Sequence, residues 1–244
     1  MCNFEDGNPR ALREIVRHRP ENTLEFEEFV AQLRLIPVVA IPSVEAAVPL
    51  ARALVAGGLP CAEITFRTAA AGAAIAAIAS EVPELFVGAG TVLDASQADE
   101  ALRAGARFIV APGFDSAVVD FSLERGVPVV PGVCTATEVT AALARGLTVL
   151  KLFPAEAIGG VGYLKALAAP FGAAHFVPTG GIGPDNLAAY LALPQVVACG
   201  GSWMVKQDLI AAGEFDTITQ LVAEARAIAE RARLQGTVSN QGKS

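Results

Sequence analysis

A lysine lies in the middle of an apolar, strand-like segment of this sequence. Lys151 occupies the centre of "TVLKLFPAE" (148–156), where valine, leucine and phenylalanine surround it. An ammonium group is costly to bury unless it is paired or gives up its proton. Desolvation and a neighbouring cation favour the neutral amine, which is a competent nucleophile toward a ketone. Lys151 is therefore the first candidate for chemistry in this chain.

A second segment, "AEITFR" (62–67), supplies a carboxylate and a cation. Side chains alternate along a strand, so Glu63 and Arg67 share one face. The other faces of the two segments carry apolar residues that suit packing against helices: Ile64, Phe66, Leu150 and Leu152. We therefore expect Glu63 and Lys151 to point into a common interior, where the carboxylate can move the protons that imine chemistry requires. The alternative is a buried Glu63–Lys151 ion pair that only holds the fold together.

Strand-like and helical segments alternate through the chain, and the strands start about 20 to 27 residues apart, which suits one βα unit each. The predicted strands are 36–41, 62–67, 86–91, 108–113, 128–133, 148–153, 175–180 and 196–201. Eight such units within about 200 residues predict a single (β/α)8 barrel. A doubly wound open sheet is the alternative, although the turn after the first strand has no GxGxxG pattern. A last helix over about 214–231 is expected to close the ring.

Two glycine-rich segments, "PTGGIGPDN" and "GGSWMV", follow predicted strands seven and eight. Small residues let backbone N–H groups turn inward, and a helix N-terminus at such a place favours an anion. Loops after strands seven and eight form the usual phosphate site of barrel enzymes. The sequence therefore predicts a phosphate-binding site at the mouth of the barrel.

Composition and charge limit the class of protein. Apolar residues make up 53% and charged residues 18% of the chain, which argues against disorder. A net charge of −7 without a basic run argues against nucleic-acid binding, and the longest apolar stretch is too short to span a bilayer. The cysteines lack metal-ligand spacing and predict reduced thiols in a cytoplasmic protein. His18 and His175 are far apart in the sequence, so no metal site is expected.

Further motifs run through the predicted barrel units: "EITFRT" (63–68), "GAGTVL" (88–93), "PGVCTATE" (131–138), "KLFPAE" (151–156), "PTGGI" (178–182) and "GGSW" (200–203). In this order and register they resemble the signatures of the 2-keto-3-deoxy-6-phosphogluconate (KDPG) and 4-hydroxy-2-oxoglutarate (KHG) aldolase family. The resemblance implies a homotrimeric class I aldolase on a (β/α)8 barrel. It also implies a covalent Schiff base with the enzyme's own lysine and no metal or other cofactor.

Position by position, the resemblance assigns each candidate residue a role. Lys151 is similar to the Schiff-base lysine and Glu63 to the general acid/base. The pyruvate half of the substrate is then held at its carboxylate and enclosed by four residues: Arg67, Thr91, Pro112 and Phe153. The substrate phosphate is received by four others: Thr179, Gly180, Gly181 and Ser202.

The predicted activity is the Entner–Doudoroff reaction, in which KDPG is cleaved to pyruvate and D-glyceraldehyde 3-phosphate. The galactonate-type branch of the family lacks the "FRT" and "PTGGI" motifs. Both are present in this chain, which favours the gluconate-type substrate. The alternatives are a KHG aldolase that yields pyruvate and glyoxylate, a phosphate-barrel isomerase or epimerase, and a catalytically silent sugar-phosphate binding protein. The predicted domains are an N-terminal extension (1–25), the barrel (26–232) and a disordered tail (233–244).

Overall fold

The computed structural model describes the backbone of residues 23–241 and the side chains of residues 25–232. In this part of the chain, short strands alternate with helices. The strands are β1 (Leu35–Val39), β2 (Cys61–Thr65), β3 (Phe86–Gly90), β4 (Ile109–Val110), β5 (Val129–Val130), β6 (Gly132–Val133), β7 (Val149–Leu152), β8 (His175–Pro178) and β9 (Cys199–Gly201).

The helices surround these strands, with a single 3-10 turn at Trp203–Val205 after β9. They are α1 (Thr23–Leu33), α2 (Ala47–Ala56), α3 (Ala71–Glu81), α4 (Ala95–Arg103), α5 (Ser116–Glu124), α6 (Ala136–Leu143), α7 (Gly160–Ala168), α8 (Pro184–Leu191), α9 (Gln207–Ala211) and α10 (Phe215–Gln241).

The strands of residues 23–241 form one closed parallel barrel. One sheet has the order β5-β4-β3-β2-β1-β9 and the other the order β6-β7-β8. They join on one side because β5 and β6 are halves of a single strand that is interrupted at Pro131. On the other side, parallel bridges pair Phe176 with Val196 and Thr179 with Gly200, which connects β8 to β9. The barrel therefore has eight strand positions, as the sequence predicts, and the open doubly wound sheet is wrong.

Side-chain caps and glycines set several helix ends. The carboxylate of Asp94 accepts the backbone N–H of Gln97 at the start of α4, and Asp115 does the same for Val118 at the start of α5. Each cap satisfies a donor that would otherwise lack a partner. Gly126 follows α5 with a φ of +66°, a left-handed conformation that glycine adopts at low cost. The helices that begin and end in this way lead the chain back to the next strand of the barrel.

Two separate cores fill the space outside and inside the barrel wall. The larger core lies between strands and helices and contains the residues predicted to face helices: Ile64, Leu150, Leu152 and, half-buried at its edge, Phe66. The smaller core lies inside the barrel and includes Cys61 of β2 and Val149 of β7. The alternation that the sequence predicts is thereby confirmed for both strands.

Helix α1 closes the N-terminal end of the barrel. Phe26 and Phe29 of this helix belong to the inner core, and the ring of Phe26 lies 5.1 Å from that of Phe108. The hydroxyl of Thr148, just before β7, donates a 2.7 Å hydrogen bond to the carboxylate of Glu27. The interior is thus apolar and closed at this end, so a ligand enters from the opposite end.

Some boundaries differ from the predicted ones. Strand β2 ends at Thr65, so Arg67 lies in the turn that follows the strand and not in the strand itself. Helix α10 extends to Gln241, through part of the segment predicted as a disordered tail. Good helix formers continue as far as residue 235, and the poor helix formers of 236–240 give no local reason for the last turns. Residues 1–22, which form most of the predicted extension, lie outside the described part of the chain. The domain boundaries at 25/26 and 232/233 stay predictions.

Candidate active site

A buried ion pair spans the interior of the barrel. The Nζ atom of Lys151 on β7 lies 3.0 Å from Oε1 of Glu63 on β2, and the two side chains are only 6% and 4% exposed. The two strands are not neighbours in the sheet, so the pair forms across the barrel. On each strand, the charged residue follows the inner-core residue, Cys61 on β2 or Val149 on β7, by two positions and lies one layer nearer the C-terminal end of the barrel. The predicted convergence of Glu63 and Lys151 is therefore confirmed in geometry.

The layer beneath the pair is apolar and uncharged. Cys61 precedes Glu63 by two residues on the same face of β2 and is fully buried. Burial, together with the nearby Glu63 carboxylate, raises the pKa of the Cys61 thiol, so this group stays neutral. The aromatic ring of Phe153 lies beside the amine, with its centroid 5.4 Å from Nζ of Lys151. Among the residues whose side chains the structure describes, Glu63 is the ion-pair partner of Lys151.

Gly90, the last residue of β3, leaves the space that the Glu63 carboxylate occupies. A Cβ atom at position 90 would lie 2.1 Å from Oε1 of Glu63, far inside van der Waals contact. Gly90 pairs with Thr65 in the β2–β3 register, so the backbone there cannot move away without breaking the sheet. A side chain at position 90 would therefore displace the carboxylate from Lys151.

The pair faces a cavity of about 230 Å³ at the C-terminal end of the barrel. All of the predicted site residues line it: Glu63, Arg67, Thr91, Pro112, Lys151, Phe153, Thr179, Gly180, Gly181 and Ser202. The sequence did not single out four other lining residues: Val38, Thr65, Ile182 and Gly200. A cavity of this size with a few convergent polar groups suits a small molecule.

A cation lies at one side of the cavity, close to the mouth. The Nε–H of Arg67 donates a 3.3 Å hydrogen bond to the hydroxyl of Thr65, and that hydroxyl donates to the backbone carbonyl of Val39 at 2.9 Å. Arg67 itself is exposed, whereas Thr65 is buried. A planar guanidinium matches the geometry of a carboxylate, so this side of the cavity suits an acid group.

Thr91 has a left-handed backbone conformation, with a φ of +56°. This conformation is unfavourable for a β-branched residue. Backbone hydrogen bonds hold the chain on both sides, from Ala89 N to Phe108 O at 3.0 Å and from Val92 N to Val110 O at 3.2 Å. Strained residues of this kind occur preferentially at functional sites, and Thr91 lines the cavity.

The loop after β8 forms the opposite side of the cavity. Gly180 and Gly181 have φ values of +98° and +81°, which glycine adopts readily. Asn186, in the first turn of α8, donates from its side-chain amide to the carbonyl of Gly181 at 3.0 Å and accepts the N–H of Gly183 at 2.9 Å. The loop thereby leads into a helix N-terminus, where the helix dipole favours an anion.

A second contact holds this loop against the strand that carries the lysine. The backbone N–H of Glu156 donates to the carbonyl of Gly180 at 3.0 Å. The phenol of Tyr190 on α8 donates to the carboxylate of Glu156. Burial and this hydrogen bond raise the pKa of Tyr190, so the phenol remains a donor. Glu156 thus connects the segment after Lys151 to the candidate anion loop, a link for which its sequence position offered no signal.

Among residues 25–232, whose side chains the structure describes, no three histidine, cysteine, aspartate or glutamate side chains come together as metal ligands would. The chemical groups that the cavity offers are an amine, a carboxylate, a guanidinium, hydroxyls and backbone N–H groups. None of the helices in the described part of the chain combines the length and apolar character of a membrane span.

Comparisons with known proteins agree on one family. The family profile described as "Aldolase: KDPG and KHG aldolase" matches residues 26–221. The "2-dehydro-3-deoxy-phosphogluconate aldolase" of Treponema pallidum (strain Nichols) is 54% identical over 194 residues, or 80% of this chain and 92% of that protein. The "KHG/KDPG aldolase" of Escherichia coli (strain K12) is 48% identical over 191 residues, or 78% of this chain and 90% of that protein.

A solved structure with a bound reaction intermediate also matches. The KDPG aldolase from Legionella pneumophila is similar with a TM-score of 0.78 and 37% identity, covering 81% of this chain and 96% of that chain. In that structure, pyruvate was captured at low pH as a covalent carbinolamine intermediate.

A pair of variants tests whether the ion pair serves stability. Glu63→Leu should lower the free energy of unfolding by about 3 kcal/mol, because it leaves the Lys151 charge buried without a partner. The double variant Glu63→Leu/Lys151→Met should be at least as stable as the wild type, because apolar residues of similar size avoid the desolvation cost. Urea unfolding measures both. A double variant that loses more stability than Glu63→Leu would show that the pair exists to hold the barrel together.

Replacing the strained threonine should stabilise the protein. We expect Thr91→Gly to raise the free energy of unfolding by about 1 kcal/mol, because glycine relieves the left-handed conformation at this position. The matched control is Thr140→Gly in the middle of α6, which should be destabilising because glycine is a poor helix former. Thermal unfolding of both variants measures the sign. A lower melting temperature for Thr91→Gly would contradict the strain at this residue.

Proposed function

This chain belongs to the KDPG and KHG aldolase family, and from this premise we propose that it cleaves KDPG to pyruvate and D-glyceraldehyde 3-phosphate. The observation that carries the proposal is the buried pair of Lys151 and Glu63, 3.0 Å apart at the base of the cavity. An amine and a carboxylate at hydrogen-bonding distance are the nucleophile and the proton carrier of a Schiff-base aldolase.

The first step is the binding of the substrate, whose 2-keto acid half lies next to Lys151. Its carboxylate pairs with the guanidinium of Arg67 and meets Thr91, while Pro112 and Phe153 enclose the methylene and ketone carbons. This position directs the C2 carbonyl toward the amine of Lys151. Binding of the carboxylate and enclosure of the carbon chain hold C2 beside the amine, so that the attack becomes an intramolecular step. Positioning of this kind supplies much of the rate enhancement of such enzymes.

Schiff-base formation then uses the Glu63 carboxylate in two proton transfers. Glu63 accepts a proton from the Lys151 ammonium, and the free amine attacks C2 to form a carbinolamine. Glu63 returns a proton to the C2 hydroxyl, which leaves as water and gives a protonated imine. The 3.0 Å distance between the two groups permits direct transfer.

Carbon–carbon cleavage follows from the electron demand of the imine. Glu63 accepts the proton of the C4 hydroxyl, the C3–C4 bond breaks, and its electron pair moves into the iminium to give an enamine. D-Glyceraldehyde 3-phosphate leaves. Glu63 returns this proton to C3 of the enamine. Addition of water to the resulting imine then releases pyruvate and restores the lysine, and this water replaces the one lost during imine formation.

The distal phosphate is received by neutral donors. Gly180, Gly181 and Ser202 line the cavity and offer such donors, and the two glycines precede the N-terminus of α8. Thr179 lines the cavity beside them, with its own N–H and hydroxyl donating to the carbonyls of Leu152 and Val177. Backbone N–H groups and a helix dipole suffice to bind a phosphate without a cation. KHG carries a carboxylate in place of the phosphate-bearing end and shares the pyruvate half, so KHG cleavage is the second candidate activity. It is favoured by the similarity to a relative named for both substrates.

The proposal includes a homotrimeric, cytoplasmic enzyme. The trimer follows from the family resemblance. Among the described residues, Cys61, Cys134 and Cys199 are free thiols, which suits a reducing compartment. Sedimentation analysis and subcellular fractionation test the two points.

Removal of the nucleophile tests the proposed mechanism. Lys151→Ala should lower kcat for KDPG cleavage by at least about a thousand-fold, because none of the other described residues that line the cavity carries an amine. The matched control is Lys165→Ala, a change at an exposed lysine of α7 that should leave the rate unchanged. A coupled assay for pyruvate measures both. Lys151→Ala with more than a tenth of the wild-type kcat would contradict the mechanism.

Removal of one hydroxyl tests the phosphate site. Ser202→Ala should lower kcat/KM for KDPG by about ten-fold or more, the usual loss when a hydrogen bond to a charged group is removed. The same change should alter kcat/KM for KHG much less, since KHG has no phosphate. Equal losses on the two substrates would remove Ser202 from the phosphate site.

A further inference from the structure

Thr65 lines the cavity, and its hydroxyl has an assigned donor and acceptor role. It is the last residue of β2, only 1% exposed, and its hydroxyl donates to the carbonyl of Val39 at 2.9 Å. A hydroxyl has one hydrogen, so this donation leaves only lone pairs for other contacts. The Nε–H of Arg67 donates to those lone pairs at 3.3 Å. The direction of both hydrogen bonds is therefore determined by the backbone of β1.

The hydrogen bond from Arg67 to Thr65 affects the conformation of the Arg67 side chain, because few other contacts restrict it. Arg67 is exposed and follows the end of its strand, and among the side chains described for residues 25–232 the Thr65 hydroxyl is its hydrogen-bond partner. A long exposed side chain samples several rotamers and loses that freedom when it binds a ligand. Holding Nε leaves both terminal nitrogens of the guanidinium free for a carboxylate.

We infer that Thr65 is a positioning residue that orders the Arg67 guanidinium for the carboxylate of the pyruvate half. This role rests on the proposed function, because it presumes that Arg67 binds that carboxylate. Thr65 touches neither the reacting carbons nor the phosphate end in this role. Its removal should therefore weaken binding of every substrate that has the 2-keto acid group and leave the chemical steps nearly unchanged.

Isosteric variants test the role through a KM-against-kcat split. Thr65→Val keeps the shape and removes the hydroxyl, and it should raise KM about five-fold on both KDPG and KHG, which equals about 1 kcal/mol. The kcat values should change less than two-fold. Thr65→Ser keeps the hydroxyl and should restore KM to within two-fold of the wild type. Steady-state cleavage assays on both substrates measure these values, and the inhibition constant of pyruvate should rise by the same factor as KM.

A double-variant cycle separates positioning from structural support. Thr65→Val also removes a buried hydrogen bond to the Val39 carbonyl, so it should lower the melting temperature whether or not Arg67 is present. In an Arg67→Ala background it should leave KM unchanged, because the group that Thr65 orders is gone. A further five-fold rise in KM in that background would overturn the role. An unchanged KM for Thr65→Val in the wild-type background, with only a lower melting temperature, would also overturn it.

The outcomes distinguish this role from the proposed function itself. If the wild type cleaves neither KDPG nor KHG, the proposed function fails, and the positioning role fails with it. If the wild type cleaves either substrate and Thr65→Val leaves KM unchanged, only the positioning role fails. Should Thr65→Val be recovered unfolded, Thr65→Ala carries the same expectation because it also lacks the hydroxyl and adds no bulk.

Discussion

The buried ion pair of Lys151 and Glu63 is the constraint on which the remaining structure depends. Removing two charges from water costs desolvation free energy, and the attraction between them offsets this cost only when their geometry is good. The barrel meets that demand across its interior, where strands β2 and β7 approach from opposite sides. Gly90 leaves room for the carboxylate, and an apolar core closed by α1 excludes water from below. A fold built for stability alone would do better with apolar residues at both positions.

The surroundings of the pair divide the site into two ends with separate tasks. On one side, Thr65 and Arg67 present a guanidinium, and strained Thr91 lies near it at the mouth. On the other side, the loop of Gly180 and Gly181 is held by hydrogen bonds to the segment after β7 and to α8. The amine lies between the two. A substrate with an acid at each end and a ketone near one of them fits this order of groups.

Much of this arrangement could be predicted from the sequence because it depends on local patterns. Period-two alternation placed Glu63 and Lys151 on inner faces, and the glycine pair after β8 indicated the candidate anion loop. The second glycine pair, Gly200 and Gly201, lies within β9 and not after it. The links between segments could not be predicted in the same way. The Thr65–Arg67 contact depends on where β2 ends, and the Glu156–Tyr190 contact joins residues on different elements. The left-handed backbone of Thr91 lies between backbone hydrogen bonds to Phe108 and Val110, which no local propensity reveals.

Borohydride reduction in the presence of pyruvate tests the central claim most directly, because it captures the imine itself. We expect one reduced pyruvyl group per chain, located on Lys151 by peptide mass mapping and absent from the Lys151→Ala variant. Slower trapping is expected for Glu63→Gln, since the amide can neither accept the ammonium proton nor return it. A wild-type enzyme that forms no adduct, or one whose adduct maps to a different lysine, would contradict the assignment of Lys151 as the nucleophile.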